Sequence, residues 1–283
     1  MKNNMTKQEE IYLPLLNAYC TQFKNCGWVS HLYGLFLPNA APKYNEISPK
    51  VFYVGKETKS WEPEFKDMLD YCFANNTINY IREQNKWLCK PSNILNEVKN
   101  PFWNTIIKLH IYLHTNMPVT DLRKLNKNQL ELLNSIGWGN LNSIITKEGL
   151  EQYSKEWEGD FDWWGEEDIS YELYDKIKKE SYVFDKLKFV LDIYNPDVIF
   201  IFNENKNEEK HYKQFLDGLK LTWCSETKIY DDFLASYSIE EYNTKIIWTA
   251  HPRTLAQKVG SMEGAIDKLK NAYDILIQNR DII

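Results

Sequence analysis

Three short apolar runs restrict what this chain can fold into: Val51-Phe52-Tyr53-Val54, Val198-Ile199-Phe200-Ile201-Phe202 and Ile246-Ile247-Trp248. Each is too short to read as a buried helix. Each is rich in β-branched and aromatic residues and apolar at consecutive positions, so both faces need cover, as in the middle of a parallel sheet. Stretches with helical periodicity lie between them, at about 62–82, 101–115, 127–135 and 171–193, and a closing helix is expected at 262–279. Pro101 suits a first helical turn, and Asn195-Pro196 ends the 171–193 pattern. Strands alternating with helices predict an α/β fold: three layers, α/β/α, around a central, mostly parallel, four-stranded sheet. The four strands are expected near 51–54, 138–144, 198–202 and 245–249, with LTWCSE (221–226) as a short extra strand.

Domain organisation follows the same pattern. Residues 1–49, a helix over 7–26 and a loop rich in Pro, Gly and Asn, are expected to lie on a core domain of residues 50–283. An insertion near 148–170 interrupts that domain, combining acidic residues with Trp157, Trp163 and Trp164. Its charge reads as a solvated face, or as a surface for a protein partner.

Composition narrows the classes of function. With 43% hydrophobic and 14% aromatic residues, the chain can build a large core and is not a disordered one. A net charge of −6 gives no global attraction to a polyanion, so any nucleic-acid contact needs a local basic rim. No run of about 18 apolar residues exists, and MKNNMTKQEE lacks the apolar stretch of a signal peptide, so a cytoplasmic protein without a membrane partner is expected. Cys20, Cys26, Cys72, Cys89 and Cys224 form no CxxC pair. They read as buried thiols, with a Cys20/Cys26 and Cys72/Cys89 metal or iron–sulfur site as the minor alternative; neither a metal nor a cofactor is expected.

The strand ends carry the chemistry. VFYVG runs into Lys56, Glu57 and Thr58; WGNLNSI (138–144) contains Asn140 and Asn142; KIIWTA runs into His251-Pro252-Arg253-Thr254-Leu255. In open parallel sheets, ligands collect outside the carboxyl ends of strands, so His251 sits where an imidazole can act, with Pro252 holding it out of the helical region.

Together and in this order, these motifs resemble the uracil-DNA glycosylase superfamily over roughly residues 50–275. The resemblance implies that Glu57, on the family's water-activating position after Gly55 and Lys56, orients the hydrolytic water. It implies that His251 stabilises charge on the departing base, that Asn140 or Asn142 reads a flipped base, and that Leu255 projects as a wedge into the duplex. Thr58 stands in place of the turn proline and Arg253-Thr254 in place of Ser-Pro. No aromatic follows the first motif directly; Trp61 is either the stacking face or core. The resemblance implies the strand order second, first, third, fourth, with Lys56, Lys59, Arg253 and Lys258 as the DNA rim.

On these residues the expected activity is hydrolysis of an N-glycosidic bond in DNA, removing a damaged or modified base. Glu57 also reads as a carboxylate satisfying a helix N-terminus. A non-catalytic binding protein on the same scaffold is the alternative. A phosphate-ligand enzyme of flavodoxin-like topology is disfavoured because no glycine-rich phosphate loop follows any strand.

Overall fold

The computed structural model describes residues 5–23, 32–34, 36–55, 65–88, 90–140, 144–146, 186–202, 221–223, 234–239 and 241–278. The chain gathers into two compact units. The first comprises Met1–Leu37, Glu57–Gln84 and Asn140–Phe189; the second comprises Pro38–Lys56, Asn85–Gly139 and Val190–Ile283. The expected division between residues 49 and 50 falls inside the second unit.

The first unit is built on helices α1 (Lys7–Phe23) and α2 (Phe65–Phe73) and the start of α3 (Thr77–Leu88). Thr6 and Glu9 cap α1 reciprocally, the Glu9 amide reaching the Thr6 hydroxyl while the Thr6 amide reaches the Glu9 carboxylate. Arg82 also pairs with that carboxylate and is the main reason that its pKa is lowered. The helix expected over 62–82 is two helices, because Asn75 turns left-handed at φ 56° between them. Strands β1 (Leu32–Gly34) and β5 (Ile144–Thr146) form a separate antiparallel pair.

The second unit holds a seven-stranded sheet in the order β2 (Asn39–Ala40), β4 (Gly137–Asn140), β3 (Val51–Gly55), β6 (Val198–Phe202), β9 (Lys245–Thr249), β8 (Leu234–Ile239), β7 (Leu221–Trp223). β3, β6 and β9 are parallel neighbours and β4 lies beside β3 in the expected order, but the strand expected at 138–144 is β4 at Gly137–Asn140, with Ile144 in β5 of the separate pair. The count of four is corrected. β2 pairs antiparallel with β4, and β8 pairs antiparallel with both β9 and β7, so the sheet is mixed. β8, LASYSI, lies between β9 and β7 and carries Ser236 and Ser238 at alternate positions, which hides it from a search for continuous apolar runs.

Alternation along β3 shows how each face is covered. Phe52 stacks on Tyr194 with ring centroids 5.3 Å apart and meets Tyr44 edge-on. Tyr53, pointing the other way, stacks on its register partner Phe200 and meets His110 of α5 (Pro101–Thr115). The expected helix over 127–135 is α6 (Lys127–Leu132) followed by a tight turn, Leu133–Ser135. Helix α7 (Lys186–Tyr194) ends at Asn195, φ 43°, and the Asp197 carboxylate accepts the Lys50 amide to tie the starts of β6 and β3. Helices α8 (Pro252–Val259) and α9 (Met262–Gln278) close the chain; the rest of the expected 171–193 helix and residue 279 lie outside the described residues.

Candidate functional site at the sheet edge

The parallel strands deliver two sequence-predicted residues to one edge of the second unit. Phe202 is in register with Thr249, and Gly55 is next after Val54, the partner of Ile201, so Gly55, Phe202 and Thr249 stand at one level. With neighbouring strands about 4.8 Å apart, Gly55 and Thr249 are roughly 10 Å from each other across β6. His251 follows Thr249 by two residues. Glu57 follows Gly55 by the same interval in sequence and lies outside the described residues, as do Lys56, Lys59, Trp61, Asn142 and the Trp-rich segment 148–170.

His251 is half-buried and is the N-cap of α8, with φ −50° and ψ 140°. Pro252 occupies the first helical position, where its missing N–H costs nothing. Pro252, expected to hold His251 out of the helical region, itself starts a helix. The His251 Nδ1 accepts the Arg253 amide at 3.3 Å. A neutral imidazole accepting at Nδ1 carries its proton at Nε2.

Leu255 is corrected too. It is fully buried on the inner side of α8, where its amide closes the first helical bond to the His251 carbonyl at 2.9 Å, so it offers no projecting tip. Arg253 and Lys258 are exposed on the same helix. Asn140 is 3% exposed and is the last residue of β4, where the first unit's third segment begins.

Two features of this edge escape the sequence reading. The Thr249 hydroxyl is completely buried and has no hydrogen-bond partner. No sequence signal marks it beyond its place two residues before the histidine. The second feature is electrostatic. The start of α5 lies at the same edge, since Phe102 meets Phe202 edge-on at 5.7 Å. Neither α5 nor α8 contains a carboxylate, and Lys99, Arg253 and Lys258 are exposed around them. The starts of α5 and α8 thus bring two positive dipole ends to this edge, with exposed Lys99 and Arg253 near them and exposed Glu97 beside Lys99.

Behind α5, Trp87, Trp103 and Trp138 form a cluster with centroids 4.8–5.3 Å apart. Cys20 and Cys72 are buried in the first unit, where their thiols face the carbonyls of Leu69 and Leu16. Cys26, Cys89 and Cys224 lie outside the described residues. Among the described residues, no group of three or more metal-holding side chains occurs, and no helix is long and apolar enough to cross a membrane. No protein-family model matches the chain, and no curated protein matches it.

Proposed function

We propose that the chain removes a damaged or modified base from DNA by hydrolysing its N-glycosidic bond, as a divergent relative of the uracil-DNA glycosylases. The observation that carries this reading is the oriented imidazole of His251. Breaking the bond leaves negative charge on the base and positive charge on the sugar. A fixed Nε2–H at the mouth of a parallel sheet is suited to the first, and the carboxylate of Glu57 to orienting water against the second. The order β4-β3-β6-β9 and the arrival of Gly55 and Thr249 at one register level support the same assignment. Asn140 or Asn142 would read the base.

The two helix starts, with Lys99 and Arg253 near them, support DNA as the partner, since phosphates are neutralised locally even where the net charge is −6. The burial of Leu255 leaves strand opening to another group, or restricts the substrate to bases already unpaired. That burial and the acidic net charge also favour the second reading, a binding protein on the same scaffold that cleaves nothing. Incubation with oligonucleotides carrying a panel of modified bases, scored for abasic sites, separates the two. Cleavage of one substrate by the wild type, with His251→Ala slower by about 10²–10³, is expected; a panel left wholly intact selects the binding protein.

A further inference from the structure

Away from the sheet edge, α5 carries two imidazoles one turn apart, His110 and His114, with ring centroids 4.5 Å apart at 65°. Their HxxxH spacing is common in metal sites, but both nitrogens of His110 are already engaged. The Ser135 hydroxyl donates to the Leu132 carbonyl at 2.7 Å, so its oxygen is left to accept the His110 Nε2–H at 2.9 Å. Nε2 also lies 3.1 Å from that carbonyl. Nδ1, bare in this tautomer, accepts the Tyr53 hydroxyl at 3.1 Å. The neutral ring therefore satisfies every polar atom in the chain from Tyr53 to Leu132.

A second proton breaks this arrangement. On Nδ1 of His110 it would turn the Tyr53 oxygen into an acceptor and strand the Tyr53 proton in the core. His114 is placed still less favourably for charge, because its Nε2 is buried with no hydrogen-bond partner. The groups facing the pair are Tyr53 from β3, Ser135 and the Leu132 carbonyl from the turn after α6, and the Ser48 backbone from the approach to β3. Tyr44 and Tyr273 lie behind Tyr53. None of these is a carboxylate. Two cations at α5 are committed elsewhere, Lys108 to Glu263 at 3.0 Å and Lys270 to Asp274 while lying over the Tyr112 ring.

We propose that His110 and His114 together form an acid trigger in the second unit: while both are neutral, His110 fastens α5 to β3 and to the 132–135 turn with the His114 ring packed against it, and taking up two protons releases that packing. Burial lowers both rings' affinity for protons, His110 well below its ordinary value, with the His114 ring adding to the effect, and His114 to about 4. The sign follows. A histidine whose folded pKa is depressed gives stability that is complete above its unfolded value of about 6.5 and is lost as pH falls toward the folded one. Between pH 6.5 and 5, above the ordinary carboxylate range, the pair should dominate.

Hydrogen exchange of α5 peptides, corrected for intrinsic rates and followed over that interval, tests the trigger. Each proton taken up on opening raises the opening constant by about tenfold per pH unit, so two approach a hundredfold. The wild type should show the steeper dependence, and His114→Phe, which keeps a ring in place without a titrating nitrogen, about the shallower. Flat protection in the wild type, or an unchanged slope in His114→Phe, would overturn the proposal. Should that variant not fold, histidine NMR of the wild type decides alone: a resonance of His110 or His114 titrating near pH 6.5 in the folded protein rejects the trigger, and both silent until the acid transition supports it.

Discussion

Leu255 shows how one residue changes its meaning between sequence and fold. Four positions after His251 it reads as a projecting wedge, yet Pro252 begins a helix and the fourth residue of that helix turns to the core. Truncation should therefore act on stability: Leu255→Ala is expected to lower it by about 2–5 kcal/mol in urea titrations, the range for deleting a buried leucine. An unchanged midpoint would mean that the side chain is not core. Gly137 makes the opposite point. A Cβ there would run into Phe52 Cδ2 and stand 2.8 Å from the Tyr44 ring, both held in an aromatic cluster. Gly137→Ala is expected to cost about 1–3 kcal/mol by overpacking, read as a lowered thermal midpoint.

At the scale of elements, α5 ties the fold to the proposed site, carrying Phe102 at the sheet edge, His110 at the middle of β3 and a left-handed Asn116 at its end. Asn116 sits at φ 54°, which an alanine tolerates poorly. Asn116→Ala should cost about 1 kcal/mol and Asn116→Gly essentially nothing, a difference that paired thermal melts would detect. The buried parallel strands and α5 were legible because apolar runs and Pro101 are local signals. β8 was not, because Ser236 and Ser238 interrupt its apolar run and its place is fixed only by pairing with β9 and β7. The break at Asn75 was overlooked because apolar positions resume at Ile78 and Ile81, although Asn75-Asn76 interrupts the pattern after Cys72. At the edge, His251 was legible as a strand-end residue, whereas the buried hydroxyl of Thr249 and the fastening of His110 depend on partners distant in sequence.

For the whole molecule, the balance between an acidic chain and a locally basic edge governs any encounter with DNA. If Lys99, Arg253 and Lys258 each neutralise a phosphate, the logarithm of affinity should fall with the logarithm of salt at a slope of about −3, and Arg253→Ala should reduce that slope by about one. Affinity that is flat with salt would point to a protein partner. The central claim is chemical, and a reaction in water labelled with heavy oxygen tests it most directly, using the modified-base oligonucleotides and following both products by mass spectrometry. The account predicts a free base, an abasic sugar carrying one labelled oxygen at the former base position, and neither product at comparable rate from His251→Ala. A wild-type protein that binds these strands yet releases no base, or a His251→Ala variant that releases it as fast, would contradict the account.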